Sequence, residues 1–447
     1  MAINSEIFKA YDIRGIYPKE IDEEAVYKIA QAYIKVFKPA RAIVLGKDVR
    51  LSSPSLWQSA AKGITDAGSD VVDIDTISTD MLYFAVANYD YGGGITISAS
   101  HNPKEYNGMK LVRENSVAIS ADTGIMDIKE EVLKNEQILE PEKGEIIKKD
   151  ILDDYVKHCL SFIDIKTIRS MKIVANANFG MAGVVLKKML NDLPIEIIPL
   201  NFEPDGNFPK GRPDPSLAEN REEIEQLVIK EQADLGVAWD ADADRCFIFD
   251  EKGRAIDGYF LTAILAEYFL QKNSGEKIIS DPRLVWAVKD TVLANNGIYL
   301  VNKPGHAFIK DRLRSEDAIF AGETSGHFYF RDNYYCDNGM IPLLIILEIL
   351  SQKNIKVTEL VRPFYEKYFI SGEINKKVKD PDKILKAIEK KYKDGRIEYI
   401  DGFSSEYADW RFNLRKSNTE TLIRLNIEAK SQELVDEKVK ELTKLIK

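Results

Sequence analysis

The sequence predicts an α/β protein made of three similar α/β domains, with mostly parallel or mixed sheets, and a smaller C-terminal α+β domain. The length of 447 residues corresponds to three or four domains at about 150 residues each. Short apolar runs rich in β-branched residues alternate with helix-like stretches as far as about residue 363, which is typical of sheets covered by helices. Beyond that point the pattern changes to short strands, turns and two helices rich in Lys and Glu.

The first domain is predicted over residues 1–147 and begins with a β-α-β-α-β order. Its strands are expected at residues 41–48, 70–75 and 94–98, with a helix at residues 81–88. Ser53 and Pro54 predict the start of another helix that runs to about Ala67, with Ser53 as the N-cap and proline at the first helical position. A strand therefore ends at residue 98, immediately before a polar loop.

The same order recurs, which predicts a second domain over residues 148–251 and a third over residues 252–363. The second is expected to have strands at 171–175, 195–200 and 234–239 and helices at 184–193 and 219–231. The third is expected to have strands at 277–280, 298–301 and 318–321 and helices at 259–272, 284–295 and 307–314. The fourth domain, residues 364–447, is expected to carry helices at 382–392 and 433–446.

The composition excludes several classes of protein. Lys and Arg number 62 and Asp and Glu number 72, a net charge of −10 that argues against broad binding of nucleic acid or anionic membranes. The three cysteines form no CxxC pair, so neither a zinc ribbon nor a disulfide framework is expected, and a reducing cytosol is the expected location. Residues 1–9 do not resemble a signal peptide. The apolar stretch 341–350 contains Glu348 and is shorter than the roughly 20 residues of a membrane span, so we expect a buried helix.

The first loop with chemical potential is Ser98-Ala99-Ser100-His101-Asn102-Pro103, at the end of the strand 94–98. A serine at the carboxyl end of a strand can act as a nucleophile or carry a phosphate if it is activated. Viewed alone, the segment is slightly better explained as a Ser/Asn/Pro turn, with His101 as a turn residue. The G-x-S-x-G motif of a nucleophile elbow is missing, which argues against a charge-relay triad.

The second loop, residues 240–245, follows the strand 234–239 and carries Asp240, Asp242 and Asp244. Three aspartates at alternate positions can converge on a hard cation such as Mg²⁺ or Ca²⁺. Their spacing also matches an EF-hand loop, but Arg245 stands where that loop requires glycine. The flanking segments are also predicted to be strands, whereas helices flank an EF-hand loop. Asp244 likewise stands where haloacid-dehalogenase loops carry Thr or Val. The alternative is a solvated acidic turn, and mutual repulsion of the aspartates favours a bound metal.

Three further loops are polar and individually unspecific. Gly322-Glu323-Thr324-Ser325-Gly326-His327 could bind sugar hydroxyls and exchange a proton, or could be a simple turn. Arg415-Lys416-Ser417-Asn418-Thr419 could bind a phosphate, or could be a polar hairpin. Ala10-Tyr11-Asp12-Ile13-Arg14-Gly15 places an arginine next to a glycine near the start of the chain.

Together and in this order, the five loops resemble the α-D-phosphohexomutase superfamily, and within it the bacterial phosphomannomutase/phosphoglucomutase group. The resemblance covers nearly the whole chain and includes the supporting stretches 46–50, 106–110, 204–206 and 303–306. It implies four domains around a central cleft. It also implies Mg²⁺ as cofactor, hexose phosphates as substrates, a bisphosphorylated hexose as activator, and a cytoplasmic enzyme that binds neither nucleic acid nor membrane.

The resemblance also assigns roles to individual residues. Ser100 matches the serine that carries the phosphate, and it would share the metal with Asp240, Asp242 and Asp244. The other catalytic positions are Lys110, His327, His306, Arg14, Arg245 and His101, with Lys110 and His327 as candidates for proton transfer. The substrate-binding positions are Tyr11, Arg283, Lys303, Glu323, Ser325, Arg415, Ser417, Asn418 and Thr419. Ala241 and Ala243 stand where the family commonly has glycine, and alanine fits there if φ is negative.

The resemblance implies a phosphohexomutase that interconverts hexose 6-phosphate and hexose 1-phosphate, with mannose or glucose as the sugar. Phospho-Ser100 would phosphorylate the sugar, the bisphosphorylated intermediate would reorient, and its other phosphate would return to Ser100. Phosphoglucosamine mutase is the nearest alternative. A non-catalytic Mg²⁺- or sugar-phosphate-binding regulator of the same fold is an alternative of another class, and the intact serine loop argues against it.

Overall fold

The computed structural model describes residues 3–134, 136, 138–191, 193–416 and 421–446. The chain divides into two compact units. Unit 1 contains residues 1–255 and 326–357, and unit 2 contains residues 256–325 and 358–447. Among the described residues, no helix is long and apolar enough to cross a membrane.

Unit 1 begins with a six-stranded mixed sheet covered by helices. Its strands are β1 (Ile13–Ile16), β2 (Ile43–Lys47), β3 (Val71–Thr76), β4 (Gly93–Ile97), β5 (Tyr106–Arg113) and β6 (Ile146–Lys148), in the order β1-β5-β4-β2-β3-β6. The helices are α1 (Glu23–Phe37), α2 (Ser53–Asp66), α3 (Thr79–Asn88) and α4 (Ile125–Leu133). β2, β3, β4 and β6 pair in parallel, and β5 runs antiparallel to β4 and β1. The ends of β4 and β2 thus lie side by side.

The prediction that Ser53 caps α2 is wrong. The helix begins at Ser53, and the preceding Ser52 makes no side-chain capping bond. The Ser53 hydroxyl instead donates to Asp48 Oδ1 at 2.5 Å. The hydroxyl oxygens of Ser52 and Ser53 accept from Asn107 Nδ2, at 2.8 and 3.1 Å, in place of the N–H groups of the first helical turn.

A four-stranded sheet follows in unit 1. Its strands are β7 (Met171–Asn176), β8 (Ile195–Leu200), β9 (Leu235–Trp239) and β10 (Cys246–Phe249), in the order β10-β9-β7-β8. β7 pairs in parallel with β8 and β9, while β10 returns antiparallel to β9. The helices are α5 (Leu152–Leu160), α6 (Ala182–Met189) and α7 (Glu222–Glu231). The aspartate loop is the turn of the β9–β10 hairpin.

Unit 2 contains a third strand–helix repeat. Its strands are β11 (Lys277–Ser280), β12 (Ile298–Val301) and β13 (Phe320–Gly322), and its helices are α8 (Gly258–Lys272), α9 (Trp286–Ala294) and α10 (His306–Ser315). β11 pairs in parallel with both β12 and β13. The chain then contributes to unit 1 the antiparallel pair β14 (Phe328–Phe330) and β15 (Cys336–Asp337) and the helix α11 (Ile341–Lys353). Residues 341–350 of α11 are buried throughout, as expected.

The remainder of unit 2 is an antiparallel sheet with helices, the α+β architecture expected of the tail. Its elements are α12 (Val357–Tyr365), β16 (Phe369–Ile370), β17 (Ile374–Lys377), α13 (Pro381–Lys391), β18 (Arg396–Glu398), β19 (Phe403–Glu406), β20 (Trp410–Lys416), β21 (Leu422–Ala429) and α14 (Gln432–Leu445). The strand order is β16-β21-β20-β19-β18, and β17 also pairs with β21. The apolar faces of the long strands β20 and β21 form the core of this part.

Candidate active site

Two loops of unit 1 bring Ser100 against the aspartates. Ser100 lies three residues after the end of β4, and its hydroxyl donates to Asp240 Oδ2 at 3.2 Å across 140 residues of sequence. The same hydroxyl oxygen lies 3.0 Å from His101 Nδ1. Ser100 is buried and has φ of +49°, a left-handed backbone that is uncommon for serine. The loop must therefore be held by its surroundings, as strained backbone at functional sites usually is.

Asp240, Asp242 and Asp244 form a buried cluster. One carboxylate oxygen of each lies within 4.8 Å of the others. Within the described part of the chain, Asp242 Oδ1 is buried and has no hydrogen-bond partner. An unbonded carboxylate oxygen is costly in the interior unless a cation neutralises it. Three hard oxygen donors with an unfilled acceptor fit a divalent cation such as Mg²⁺.

Lys110 of β5 enters the same cluster. Its Nζ donates to Asp242 Oδ2 and to Asp244 Oδ2, at 2.6 Å each. Burial alone would lower the pKa of Lys110, but the charges of Asp242 and Asp244 raise it above its ordinary value. Burial and the neighbouring carboxylates raise the pKa of Asp240. Lys110 is therefore an ammonium group at neutral pH and can release a proton only if its aspartate partners are neutralised.

Two residues that the sequence did not single out complete this cluster. Thr79, the first residue of α3, donates its hydroxyl to Asp242 Oδ2 at 2.6 Å and its N–H to Asp242 O at 2.9 Å. Asp337 of β15 is buried and has an oxygen within 4.8 Å of ligand atoms of Asp244 and His327. Neither residue stands in a motif, so only the fold brings them to the site.

Arg245 connects the serine loop with His327. Its Nη2 donates to His101 Nδ1 at 2.8 Å and its Nε donates to His327 Nε2 at 3.3 Å. Burial would lower the pKa of Arg245, but Asp240 and Asp214 raise it. Burial, together with the charges of Arg245 and Arg14, holds the pKa of His101 well below its usual range. His101 is therefore neutral near pH 7, and its Nδ1 accepts from Arg245.

Arg14 and Tyr11 lie at the start of the chain as expected. Tyr11 is in the bend before β1, and Arg14 is in β1. Arg14 Nη1 donates to Asn102 Oδ1 at 2.6 Å, and its other branch pairs with Asp12. Arg14 thus binds the far end of the Ser100 loop.

Arg212 and Asp214 are a further pair that the sequence did not single out. Arg212 Nε donates to the carbonyl of His101 at 3.1 Å, and Arg212 Nη2 lies 2.8 Å from Asp214 Oδ2. Asp214 is buried and lies 3.7 Å from Arg245 Nη1. Arg14, Arg212 and Arg245 therefore surround the serine loop with positive charge inside an acidic protein.

The alanines of the aspartate loop differ from expectation at one position. Ala243 has φ of +58°, so it adopts the left-handed conformation that the expectation of negative φ excluded. Two glycines pack against this loop. A Cβ on Gly180 would lie 2.1 Å from Ala241 O, and one on Gly339 would lie 2.2 Å from Ala243 O. Close backbone packing on both sides holds the loop in a conformation that alanine alone would not favour.

In unit 2, Arg283 and Glu323 lie in one buried ion-pair network. Arg283 Nε donates to Asp281 Oδ1 at 2.8 Å, and its Nη2 lies 3.5 Å from Glu323 Oε1. Glu323 Oε1 also accepts the N–H of Gly305 at 3.0 Å. Burial would lower the pKa of Arg283, but Asp281 and Glu323 raise it. Asp281, which also accepts from Thr324 N, was not singled out by the sequence.

Two further expected site residues, His306 and Lys303, lie at the start of α10 and three residues before it. His306 begins α10, and the ammonium of the buried Lys310 lies 3.5 Å from its Nδ1. Lys303 is exposed and lies 3.6 Å from the ring centre of Phe308. Ser325 is half-buried in the turn after β13.

Arg415 is on β20 and is held by the sheet. Its Nη1 donates to Asn413 Oδ1 at 3.0 Å and to Asn426 Oδ1 at 2.9 Å, and its Nη2 pairs with Glu373. Its Nε lies 3.5 Å from Asp401 Oδ2. Ser417, Asn418 and Thr419 lie outside the described residues. The arginine of the expected phosphate loop is thus fixed on a rigid strand.

Four family models match consecutive parts of the chain. They describe the phosphoglucomutase/phosphomannomutase alpha/beta/alpha domains I, II and III, at residues 5–138, 153–253 and 257–368, and the C-terminal domain at residues 373–445. With an α/β architecture of mixed sheets, a C-terminal α+β part and the serine–aspartate arrangement of unit 1, the chain belongs to the phosphoglucomutase/phosphomannomutase family.

Its relatives are similar over almost their full length. The chain is 47% identical over 453 residues to a phosphomannomutase of Vibrio cholerae, covering 98% of each, and 42% identical over 444 residues to a phosphohexose mutase of Xanthomonas campestris, covering 98% of this chain and 99% of the relative. The crystal structure of a phosphoglucomutase/phosphomannomutase family protein from Burkholderia thailandensis superimposes with a TM-score of 0.88 at 30% identity, covering 99% of this chain and 97% of that chain.

Proposed function

We propose that this protein is a hexose phosphate mutase that interconverts hexose 6-phosphate and hexose 1-phosphate, with mannose or glucose as the sugar. The observation that carries the proposal is the contact of the Ser100 hydroxyl with Asp240 inside a buried cluster of three aspartates. The names of the relatives, phosphomannomutase and phosphohexose mutase, support the substrate class. Cytoplasm as the location and the absence of nucleic-acid partners remain parts of the same proposal.

The reaction is a phosphoryl transfer in which Ser100 is the carrier. The free hydroxyl of the bound sugar attacks the phosphorus of phospho-Ser100, the bond from phosphorus to Ser100 Oγ breaks, and the hydroxyl proton leaves to a base. The product is a bisphosphorylated sugar. After reorientation, Ser100 Oγ attacks the other phosphate, and the sugar oxygen leaves with a proton. His327 and Lys110 are the proton-transfer groups in this proposal, and a bisphosphorylated hexose primes the enzyme.

Asp240, Asp242 and Asp244 would hold Mg²⁺, which supplies positive charge against the transferring phosphoryl group. The protein's own groups supply the rest of the electrostatic stabilisation. Arg245 remains cationic because Asp240 and Asp214 raise its pKa. A phosphoserine carries about −1.5 to −2 charges, and this fixed cation stabilises it without reorganisation during the reaction. Lys110 adds positive charge until it transfers its proton, because Asp242 and Asp244 raise its pKa.

Turnover and mass measurements test the proposal together. In a coupled assay, mannose 1-phosphate or glucose 1-phosphate should be converted to the 6-phosphate, and glucosamine 1-phosphate should be a poor substrate. Ser100→Ala should lack the phosphoryl adduct seen by intact mass after treatment with a bisphosphorylated hexose, and its turnover should fall by orders of magnitude. Preference for glucosamine 1-phosphate would favour the alternative substrate, and full turnover of Ser100→Ala would refute the mechanism.

The metal has its own test. Exhaustive chelation should abolish turnover, and Mg²⁺ should restore it, because the buried Asp242 Oδ1 has no hydrogen-bond partner among the described residues. Asp242→Asn should raise the Mg²⁺ concentration needed for half-maximal activity. Undiminished activity of fully chelated enzyme would contradict the assignment.

A further inference from the structure

Arg50 is a buried arginine that no motif of the proposed mechanism uses. It follows β2, and it is 1% exposed. Its Nε donates to Asp48 Oδ2 at 3.1 Å. Moving an arginine from water into the interior is expensive unless its charge and all its N–H groups find partners. The groups that accept from the Arg50 guanidinium therefore indicate the role of this residue in the structure.

Four of the partners are carbonyls of the serine loop, within residues 100–106. Arg50 Nη2 donates to the carbonyls of Ser100 at 2.6 Å and Asn102 at 2.7 Å. Arg50 Nη1 donates to the carbonyls of Pro103 at 2.7 Å and Tyr106 at 3.1 Å. A guanidinium has five N–H donors in a rigid planar fork, and here Asp48 and these four carbonyls take all five.

The backbone of Arg50 is itself fixed. Asp48 Oδ1 accepts the N–H of Arg50 at 3.0 Å and the hydroxyl of Ser53. Arg50 also bridges in parallel to Gly206, and its guanidinium lies 5.0 Å from the ring centre of Phe208. A Cβ on Gly206 would lie 2.2 Å from the carbonyl of Val49, so this approach requires glycine. Contacts with Asp48, Gly206 and Phe208 thus fix the backbone and the guanidinium of Arg50.

We infer that Arg50 is a positioning residue for phosphoryl transfer: it holds the Ser100–Tyr106 loop by its carbonyls and so keeps the left-handed Ser100 aligned with the aspartate cluster. The inference rests on the mutase function proposed above. Ser100 must return to one position in both half-reactions, and displacement of a reacting group by about 1 Å can cost roughly 100-fold in rate. Lysine cannot replace Arg50, because an ammonium has three donors at one point and cannot span four carbonyls.

The test is Arg50→Lys, which keeps the charge and removes the fork. We expect kcat to fall roughly 100-fold while KM for the hexose phosphate stays within about twofold, since the change displaces the carrier and leaves substrate contacts intact. Hydrogen exchange of the peptide that spans residues 98–107 should accelerate. Its amides are bonded within the loop, from Asn102 to Ala99 O and from Tyr106 to Pro103 O. Arg254→Lys, which changes a more exposed arginine paired with Asp250, is the control and should alter neither quantity.

Asp48→Asn is the second variant and keeps the inference testable if Arg50→Lys does not fold. It weakens the anchor of Arg50 and should produce the same changes to a smaller extent. Unchanged exchange and kcat in a folded Arg50→Lys protein would overturn the inference, as would faster exchange with normal kcat or an effect on KM alone. If the wild-type protein itself shows no mutase turnover, the proposed function fails, and the exchange measurement alone decides whether Arg50 holds the loop.

Discussion

Asp80 and Asp66 are buried carboxyl groups of unit 1 whose pKa values shift in opposite directions. Burial raises the pKa of Asp80 to about 7 in spite of hydrogen bonds from Ser78 and Tyr155, and the charges of Asp244 and Asp337 add to the increase. Burial would also raise the pKa of Asp66, but hydrogen bonds from Lys143, Lys62 and Tyr27 lower it to about 2. The same residue type therefore gives opposite pH dependences of stability.

The sign follows from proton counts. Between about pH 4 and 7 the folded protein keeps the proton on Asp80 and the unfolded chain has lost it, so this group makes stability fall as the pH rises. Asp66 contributes stability that is fully present above about pH 4 and is lost as the pH falls through about 2. We expect Asp80→Asn to gain stability relative to wild type as the pH rises from about 4 to 7. Asp66→Asn should lose stability by an amount that stays constant over that range.

Urea unfolding at intervals across this pH range measures both effects, and each variant serves as the control for the other. A stability difference between Asp80→Asn and wild type that does not change with pH would contradict the raised pKa. Equal slopes for the two variants would contradict the opposite signs.

The observed strands and helices show which parts of the fold could be predicted from short stretches of sequence. The strand expected at 41–48 is β2 (Ile43–Lys47), and that at 195–200 is β8 (Ile195–Leu200), because short length and β-branched residues favour a strand over a helix. α5 (Leu152–Leu160) was not predicted, although Leu152, Tyr155, Val156 and Cys159 recur at helical spacing. The bond from Thr79 to Asp242 spans 163 residues, so no local pattern could have predicted it.

Gly339 precedes α11 and packs against the aspartate loop. A substitution at Gly339 therefore tests whether close backbone packing holds that loop in place. In Gly339→Ala the new Cβ would lie 2.2 Å from the carbonyl of Ala243, so the backbone of one of the two segments must move. We expect weaker Mg²⁺ activation and at least tenfold lower kcat, about 1.4 kcal/mol in the barrier, measured in the coupled assay.

Gly297→Ala is the control for this substitution. The nearest atoms to its Cβ would be the side-chain ends of Leu270 and Val292, which can move aside, so its kinetics should stay close to wild type. Normal Mg²⁺ activation of Gly339→Ala would show that the aspartate loop tolerates displacement.

The strands β20 and β21 of unit 2 are joined to the start of α9 by one buried ion pair. Arg411 Nη1 donates to Glu428 Oε1 at 2.9 Å, and Glu428 also accepts from Tyr259, Val285 and Trp286. Arg411 in turn donates to the carbonyls of Pro282 and Arg283. Glu428→Gln should lower stability by about 3–5 kcal/mol, because it leaves Arg411 buried without a counter-charge.

Two further variants separate the contribution of the Arg411–Glu428 ion pair to stability from that of the other groups bonded to Glu428. Replacing both residues, as Arg411→Met with Glu428→Leu, should not restore stability, since three other donors would lose their acceptor. Glu398→Gln, in an exposed pair with Arg396, should change stability by less than about 1 kcal/mol. Thermal denaturation measures all three, and full recovery in the double variant would contradict this account.

At the scale of the whole molecule, the residues of the proposed reaction are divided between the two compact units. The serine, the aspartates, Lys110, Arg245 and His327 belong to unit 1, while Arg283, Glu323 and Arg415 belong to unit 2. Unit 2 is itself discontinuous, with residues 256–325 and 358–447. Removing the chain after residue 363 would cut through unit 2 and leave Tyr259, Val285 and Trp286 without Glu428. Point substitutions therefore test the C-terminal part better than truncation.

Arg415→Ala tests whether one phosphate-binding position serves both directions of the proposed mutase reaction. The sugar must react first with one end at Ser100 and then with the other, so the non-reacting phosphate needs the same cation in each orientation. Arg415 is suited to this role, because Asn413 and Asn426 fix its guanidinium on β20 and β21. We expect KM for hexose 1-phosphate and for hexose 6-phosphate to rise by similar factors, on the order of tenfold or more, since a charge-assisted bond contributes roughly 1.5–3 kcal/mol.

The phosphorylation of Ser100 by a bisphosphorylated hexose should remain detectable by intact mass in this variant, because Arg415 does not belong to the carrier's unit. Arg424→Ala is the matched control: Arg424 also pairs with Glu373 but is more exposed, and its loss should raise KM by a smaller factor. An increase of KM for only one of the two substrates would show that each orientation uses its own phosphate contact, and unchanged KM for both would remove Arg415 from substrate binding.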